Sequence, residues 1–225
     1  MQKKRNKLII FDLFGTIIET PSKKEVEDLL NKIEKSTNSK KGLYSRWLET
    51  SEKRDRGEYK NYKIYWESIG VKDYNKANKI YLEKNKKWLD SFRCNVDEML
   101  AKLDSLGYDL ALCSNAGFET YNIIKNNSNF RYFKKLIISA EVKYLKPAKE
   151  IYILAVGKKR YEKVYFVGDG GSSELTGAEK IGLIPVQIAE YINGKEKFRK
   201  IAINCKKIKN LSELERFFIN ESNKK

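Results

Sequence analysis

One carboxylate near the start of the chain lies where an α/β enzyme would place a nucleophile. Asp12 follows the apolar run Leu8 to Phe11, and a small-residue turn containing Gly15 and Thr16 comes directly after it. A continuous apolar run is typical of a strand buried in a parallel sheet, and ligands bind at the carboxyl ends of such strands. Asp12 is therefore a candidate nucleophile, although a strand that ends in Asp before a glycine turn is also a common structural pattern.

Polar residues also lie at the end of a later predicted strand and at the start of a predicted helix. Ser114 and Asn115 come after the predicted strand Tyr108 to Cys113, and their hydroxyl and amide could hold an anionic oxygen, although both residue types also form ordinary turns. Lys146 precedes Pro147 at a predicted helix start, which would bring one ammonium to the sheet edge. The alternative there is an exposed lysine before a helix-starting proline.

A glycine-rich turn in the last third of the chain carries two more carboxylates. The segment GDGGSSE follows the predicted strand Val164 to Val167, and it contains Asp169 and Glu174. Two carboxylates five positions apart across such a turn can share a hard cation, because Mg²⁺ and Ca²⁺ prefer oxygen ligands.

Two patterns of hydrophobic spacing divide the chain. From Pro21 to about Trp88 the apolar residues recur at helical spacing, and no convincing strand interrupts them. From Val96 onward strands and helices alternate, which indicates a parallel sheet covered on both faces. The predicted later elements are a helix through Met99 and Leu106, strand Tyr108 to Cys113, a helix from about Phe118, strand Leu136 to Ile138, a helix after Pro147, strand Val164 to Val167, a helix from about Ser173 to Lys180, strand Ile184 to Ile188, strand Ile201 to Asn204, and a helix from Ser212 to Phe218 before a frayed polar tail.

The first strand belongs with the later strands, so the helical block is an insertion. We therefore predict an α/β fold, a doubly wound parallel sheet with a Rossmann-like core, that carries a small all-helical cap after the first strand. The predicted core comprises residues 1–19 and 93–225, and the predicted cap comprises residues 20–92.

The composition excludes several classes of chemistry. The 225 residues include no histidine, so Ser/His/Asp and Cys/His nucleophile systems and zinc sites with histidine ligands are excluded. The three cysteines are widely spaced and form no CxxC pair, which is typical of reduced cytosolic thiols. Carboxylate and lysine chemistry remains.

The charge and the hydropathy define the expected partners. The formal net charge of +16 would attract anions, but the lysines are spread over almost every segment. That spread favours a solvated, lysine-rich surface over a dedicated nucleic-acid site. We expect a small anionic substrate as the partner, with nucleic acid as the less favoured alternative. No apolar stretch approaches the roughly 20 residues that cross a bilayer, which predicts a cytoplasmic protein without a membrane partner. No feature of the sequence specifies an oligomeric state.

Together the four segments resemble the haloacid dehalogenase-like hydrolase superfamily. The segment DLFGT is similar to its first motif, SN to its second, KP to its third, and GDGGSSE to its fourth, in the variant whose second acid is Glu. The resemblance covers nearly the whole chain, because the helical insertion lies where the family's cap after the first motif lies. Four ordered motifs are far more specific than any one of them.

The resemblance implies a role for each matching residue. Asp12 would be the nucleophile that forms a covalent aspartyl intermediate, and Lys146 would neutralise the charge between it and the substrate. Thr16, Ser114 and Asn115 would bind the transferring group, together with the backbone amides of Leu13 and Phe14. The implied Mg²⁺ ligands are Asp12, the carbonyl of Phe14, Asp169 and, through water or hydrogen bonds, Glu174.

Phe14 departs from the pattern of the family's phosphatases. They carry a second Asp at this position, which protonates the leaving alkoxide, and a phenyl ring cannot transfer protons. General acid catalysis is worth roughly 10² to 10⁴ in rate, so an ordinary sugar phosphate should be a poor substrate. An activated phosphate, or an acid borrowed from the cap such as Glu52, Asp55 or Glu58, would avoid this problem.

Three functions are consistent with these residues. The first is a Mg²⁺-dependent phosphohydrolase acting on a small phosphorylated metabolite with a good leaving group, which the metal carboxylates favour. The second is a 2-haloacid dehalogenase, because those relatives also carry an aromatic residue at the position of Phe14. The third is a weakly catalytic or non-catalytic protein that binds anions or nucleic acid.

The predicted cap would close over the sheet edge and select the substrate through its inward side chains. Trp47, Trp66 and Trp88 are the large aromatic residues of this segment. We expect them mainly to pack the cap helices, with a pocket-lining position as the alternative.

Overall fold

Residues 6–223 are described by the computed structural model, and their strands lie mainly in one parallel sheet. The strands are β1 (Lys7–Phe11), β2 (Tyr108–Ser114), β3 (Lys135–Ile138), β4 (Lys163–Gly168), β5 (Ile184–Ile188), β6 (Glu190–Ile192), β7 (Lys195–Lys197) and β8 (Lys206–Ile208). Six of them form a sheet in the order β3-β2-β1-β4-β5-β8, with every neighbouring pair parallel. The predicted doubly wound parallel sheet is confirmed.

Helices cover the sheet and form the block after β1. They are α1 (Lys23–Ser36), α2 (Leu43–Glu49), α3 (Ser51–Asp55), α4 (Tyr62–Ser68), α5 (Tyr74–Leu89), α6 (Val96–Ser105), α7 (Phe118–Ile124), α8 (Ser139–Val142), α9 (Lys149–Val156), α10 (Glu174–Lys180) and α11 (Leu211–Asn223). Within residues 6–223, no helix has both the length and the apolar character needed to span a membrane.

The central strand β1 is buried on both faces. Ile9 and Phe11 belong to a hydrophobic cluster that includes residues of α6 and α11, whereas Leu8 and Ile10 belong to a second cluster with residues of α9 and α10. Side chains of a strand alternate between the two faces of a sheet, so a run of four apolar residues supplies both cores. This position holds Asp12 at the centre of the carboxyl edge.

The helices α1 to α5 pack around a third hydrophobic cluster of their own. Its largest side chains are Tyr65 and Trp66, both almost fully buried, and they pack against Leu30 and Tyr81. The start of α1 is fixed by Ser22, whose hydroxyl accepts the Glu25 backbone N–H while the Glu25 carboxylate accepts the N–H of Ser22. The predicted limits of the cap, residues 20 and 92, stay predictions.

The last third of the chain differs from expectation in three places. The predicted strand Ile201 to Asn204 is wrong: Ile201 and Ile203 pack against the second core without sheet pairing, and the edge strand β8 lies a few residues later. The antiparallel hairpin of β6 and β7 was not predicted, because each strand has only three residues and β7 is charged and exposed. Helix α11 continues through the expected polar tail, where Glu221 accepts the Tyr165 hydroxyl at 2.8 Å; Lys224 and Lys225 lie outside the described residues.

Candidate functional site

Three strand and helix ends bring Asp12, Lys146 and Glu174 together at the carboxyl edge of the sheet. The backbone N–H of Asp12 donates to the carbonyl of Val167 at 2.8 Å, which continues the pairing of β1 with β4 beyond the last strand residue. Lys146 Nζ donates to Asp12 Oδ1 at 2.5 Å and to Glu174 Oε2. All three side chains are buried, so Lys146 is not the exposed lysine of the alternative interpretation.

Burial and mutual charge control the pKa values of this group. Burial is the largest effect on Asp12 and raises its pKa, while Lys146 acts in the opposite direction. Burial raises the pKa of Glu174 to about 8, with a further contribution from Asp12. Burial alone would lower the pKa of Lys146, but Asp12 and Glu174 raise it, so its ammonium stays charged. The site therefore holds a fixed cation against Asp12, the predicted nucleophile.

The glycine-rich loop after β4 adds the third carboxylate. The Gly171 N–H donates to Asp169 Oδ1 at 2.7 Å, and the Gly170 N–H donates to Glu174 Oε1 at 3.1 Å. One oxygen each of Asp12, Asp169 and Glu174 lies within 4.8 Å of the others. An all-oxygen donor set of this spacing fits Mg²⁺, which Asp12 and Asp169 would hold. The metal ion would supply positive charge to a bound oxyanion.

Ser114 and Asn115 lie at the end of β2, on the same edge. Both line a cavity of about 140 Å³ that also contains Asp12 and Lys146. The Asn115 amide is bonded to the backbone of Lys146 in both directions: its Nδ2 donates to the Lys146 carbonyl at 3.1 Å, and its Oδ1 accepts the Lys146 N–H at 2.8 Å. Asn115 thus fixes the position of Lys146, and its predicted contact with substrate stays a prediction.

The turn after Asp12 carries the remaining predicted residues. Leu13 is fully buried, and its carbonyl accepts the N–H groups of Thr16 and Ile17 at 3.4 and 3.0 Å. The Thr16 hydroxyl is buried without a hydrogen-bond partner among residues 6–223, and its predicted contact with substrate stays a prediction. Phe14 lines the cavity, but the backbone contacts predicted for it stay predictions.

Arg199, which the sequence analysis did not predict, also lines the cavity beside Asp12 and Lys146. Arg199 Nε donates to Asp169 Oδ2 at 3.0 Å, and its Nη2 donates to Glu190. The buried Gln187 amide holds both segments in place, because its Nε2 donates to the carbonyls of Asp169 at 3.2 Å and Arg199 at 2.8 Å. Arg199 lies in a lysine-rich stretch without a motif, so the sequence carried no signal for it.

A family model described as hydrolase, haloacid dehalogenase-like hydrolase, matches residues 6–182. The chain belongs to this family. The match includes all four segments that surround Asp12, from the first strand to the glycine-rich loop. No curated protein matches this hydrolase in sequence.

Solved structures with similar folds include both phosphatases and dehalogenases. The hydrolase is similar to the HAD phosphatase from Thermococcus onnurineus at 21% identity, with a TM-score of 0.66 over 94% of this chain and 97% of that one. It is similar to L-2-haloacid dehalogenase from Xanthobacter autotrophicus with chloropropionic acid covalently bound, at 16% identity and a TM-score of 0.63 over 95% and 98% of the two chains. It is also similar to the putative HAD-hydrolase YfnB from Bacillus subtilis bound to magnesium, at 18% identity and a TM-score of 0.63 over 96% and 100%. At these identities the likeness shows the fold alone.

Another arginine, Arg93, is buried and holds the turn that follows Asp12. Arg93 Nη1 donates to the carbonyls of Gly15, Thr16 and Ala189 at 3.3, 3.1 and 3.1 Å. Gly15 has φ of +74°, and a Cβ at this position would lie 2.7 Å from Asp169 Oδ2. The turn therefore needs glycine both for its backbone conformation and for the close approach of Asp169.

A second cavity, of about 190 Å³, adjoins the first and shares Phe14 and Asn115 with it. Trp47 and Trp88 line this cavity and also pack against the hydrophobic cluster of α1 to α5, so they meet both expectations. Trp66 is fully buried among the helices. Of the three predicted cap acids, Asp55 lines the cavity. Both Glu52 and Glu58 are instead exposed and paired with Arg56.

Proposed function

We propose that this hydrolase is a Mg²⁺-dependent phosphohydrolase that acts on a small phosphorylated metabolite with a good leaving group. The observation that carries the proposal is the cluster of Asp12, Asp169 and Glu174, whose oxygens lie within 4.8 Å of one another beside Lys146. Displacement of halide needs no divalent cation, so three convergent carboxylates are better explained by transfer of a charged phosphoryl group. The likeness to YfnB bound to magnesium supports this view.

Each residue of the site has a separate role in the proposed phosphoryl transfer. A carboxylate oxygen of Asp12 attacks the phosphorus atom, the bond from phosphorus to the leaving oxygen breaks, and water then hydrolyses the aspartyl phosphate. Lys146 stabilises the charge on the phosphoryl oxygens, and the hydroxyls of Thr16 and Ser114 donate hydrogen bonds to them. When bound, Mg²⁺ supplies additional positive charge at the same oxygens.

Protonation of the leaving group limits the substrate range. Phe14 cannot donate a proton, and Asp55 is the cap acid that lines the adjoining cavity. Burial raises the pKa of Asp55, although Arg54 at 3.1 Å opposes that effect, so Asp55 is the best-placed proton donor for a less activated substrate.

The test is phosphate release from 4-nitrophenyl phosphate with Mg²⁺ and with a chelator. We expect release that requires the metal and falls on the order of 10³-fold in Asp12→Asn, because the nucleophile is lost. Asp28→Asn is the matched control, since Asp28 is exposed on α1. Release that persists in Asp12→Asn, or no release by the unmodified enzyme, would contradict the proposal.

A carbon–halogen hydrolase is the second candidate, and Phe14 is the observation that favours it. A halide departs without protonation, so a phenyl ring at this position costs such a reaction nothing. The fold likeness to L-2-haloacid dehalogenase agrees with this alternative. Release of chloride from 2-chloropropionate in the presence of a chelator, without phosphatase activity, would favour it over the first.

A further inference from the structure

The cavity beside the reaction site contains a buried carboxylate with one unused oxygen. Glu119, on the core helix α7, is 3% exposed and lines the cavity. Its Oε1 accepts the Tyr81 hydroxyl at 2.9 Å and the Asn85 amide at 3.4 Å, both from the cap helix α5. Its Oε2 has no hydrogen-bond partner among residues 6–223. A buried acceptor left in this state is costly, so the site favours a ligand that donates to it.

Arg54, the cationic side chain in the lining of this cavity, already donates hydrogen bonds to other groups. Arg54 Nε donates to Asp55 at 3.1 Å, and its Nη1 donates to the Tyr65 hydroxyl at 3.2 Å and the Trp47 carbonyl at 3.3 Å. The lining therefore holds two carboxyl groups, Asp55 and Glu119, and one guanidinium. Burial raises the pKa of Glu119, and the charge of Arg54 opposes that effect.

Aromatic and apolar side chains form the rest of the wall. Trp47 and Trp88 from the cap stand with Phe14, Pro21 and Val26 around the same space. Such walls bind a flat or apolar body. The cavity thus combines an apolar interior with one acidic acceptor.

We propose that this cavity binds the leaving group of the substrate and that this group carries a primary amine, which donates to Oε2 of Glu119. The proposal rests on the proposed phosphohydrolase function, because the phosphate is then held in the adjoining cavity by Lys146. A substrate with phosphate at one end and an ammonium group at the other matches both charges. The shared walls Phe14 and Asn115 connect the two cavities.

The first test measures binding without turnover. Calorimetry on the unmodified enzyme compares 4-(aminomethyl)benzylphosphonate with 4-methylbenzylphosphonate, two analogues that cannot be hydrolysed and differ in one ammonium group. We expect the amine to bind at least about ten-fold more tightly, since a charge-assisted hydrogen bond forms in a buried site. Glu119→Gln should reduce this ratio to near one, whereas Glu83→Gln, on the exposed side of α5, should preserve it.

Equal affinity of the two phosphonates for the unmodified enzyme would overturn the proposal. The Tyr62 hydroxyl competes for the Glu119 carboxylate: burial raises the pKa of this hydroxyl most, and Glu119 raises it further both by its charge and as a hydrogen-bond acceptor within reach. If Glu119 accepts a hydrogen bond from this hydroxyl and none from a ligand, the two phosphonates will bind with equal affinity. The comparison needs only folded unmodified enzyme, so it decides the matter even where Glu119→Gln does not fold.

Turnover of the corresponding aryl phosphates separates this inference from the function on which it rests. The measured quantity is the ratio of kcat/KM for 4-(aminomethyl)phenyl phosphate to kcat/KM for 4-methylphenyl phosphate, with Mg²⁺ present. The ratio in Glu119→Gln gives the intrinsic difference between the two leaving groups. The ratio in the unmodified enzyme should be about ten-fold larger. Turnover of both esters with no such preference would overturn the amine site alone. Selective binding of the phosphonate without any turnover would support the amine site and contradict the phosphohydrolase.

Discussion

Replacement of Arg199 by Gln should strengthen Mg²⁺ binding. Both oxygens of Asp169 accept hydrogen bonds, Oδ1 from the Gly171 N–H and Oδ2 from Arg199 Nε at 3.0 Å, so a metal must compete with the arginine for this ligand. The Arg199 side chain is 43% exposed, which places the ion pair near the upper end of the range for exposed pairs, about 1 kcal/mol. Removing that competitor should tighten Mg²⁺ binding by about five-fold.

The assay is calorimetric titration of the enzyme with MgCl₂ in the absence of substrate. Lys200→Gln is the matched control, because it removes the same formal charge from the next, exposed residue. If both variants change the Kd equally, the effect is general electrostatics and the competition argument is refuted. Weaker binding in Arg199→Gln would refute it more strongly, since it would show that the guanidinium helps to hold the metal carboxylates in place.

Three further substitutions test the turn after Asp12 and two buried polar groups of the core. Gly15→Ala forces a side chain into a left-handed turn and against Asp169, so we expect a loss of about 2 kcal/mol in the free energy of unfolding, measured with urea, and at least ~10-fold slower phosphate release. Arg93→Met keeps the volume but removes the donor to three buried carbonyls, and the urea midpoint should report a loss of about 2 kcal/mol. Burial would raise the pKa of Asp109, but bonds from two lysines and a tyrosine hold it at about 2. Because this folded-state pKa lies below the ordinary value, Asp109→Asn should cost about 1 kcal/mol at pH 7, and urea curves should show the difference shrinking as pH falls from 4 towards 2.

The sheet and the order of its elements could be predicted because hydrophobic patterning is local. The apolar run before Asp12 can be buried on both faces only in a central strand, and the alternation of strands and helices from Val96 onward indicated a parallel sheet. The edge could not be predicted in the same way. Ile201 and Ile203 have the spacing of a strand, yet their side chains fill the second core, and the paired strand Lys206–Ile208 is mostly exposed and basic. Charge on an edge strand protects it from pairing with other chains, but it also removes the apolar signal.

The predicted site residues from four segments converge, whereas the groups that orient them came from elsewhere. Asp12, Lys146 and Glu174 lie in hydrogen-bond contact, and Asp169 completes the carboxylate cluster. Motifs reveal residues that act together, because their types and order are constrained by one reaction. Arg199 acts on the same group through a long side chain from a loop, and contacts of that kind leave no spacing that a sequence pattern can detect.

Phe14 links the chemistry of the site to its selectivity. Because a phenyl ring stands where the family's phosphatases carry a proton donor, the leaving group must either depart without protonation or receive its proton from a residue of the adjoining cavity. That cavity shares Phe14 with the reaction site and contains Asp55 and Glu119, so both the proton donor and the amine acceptor would meet the same part of the substrate. An ammonium group at Glu119 would also fix the leaving group beside Asp55. If so, selectivity for the amine should grow with the basicity of the leaving oxygen, because poorly activated esters depend most on that alignment.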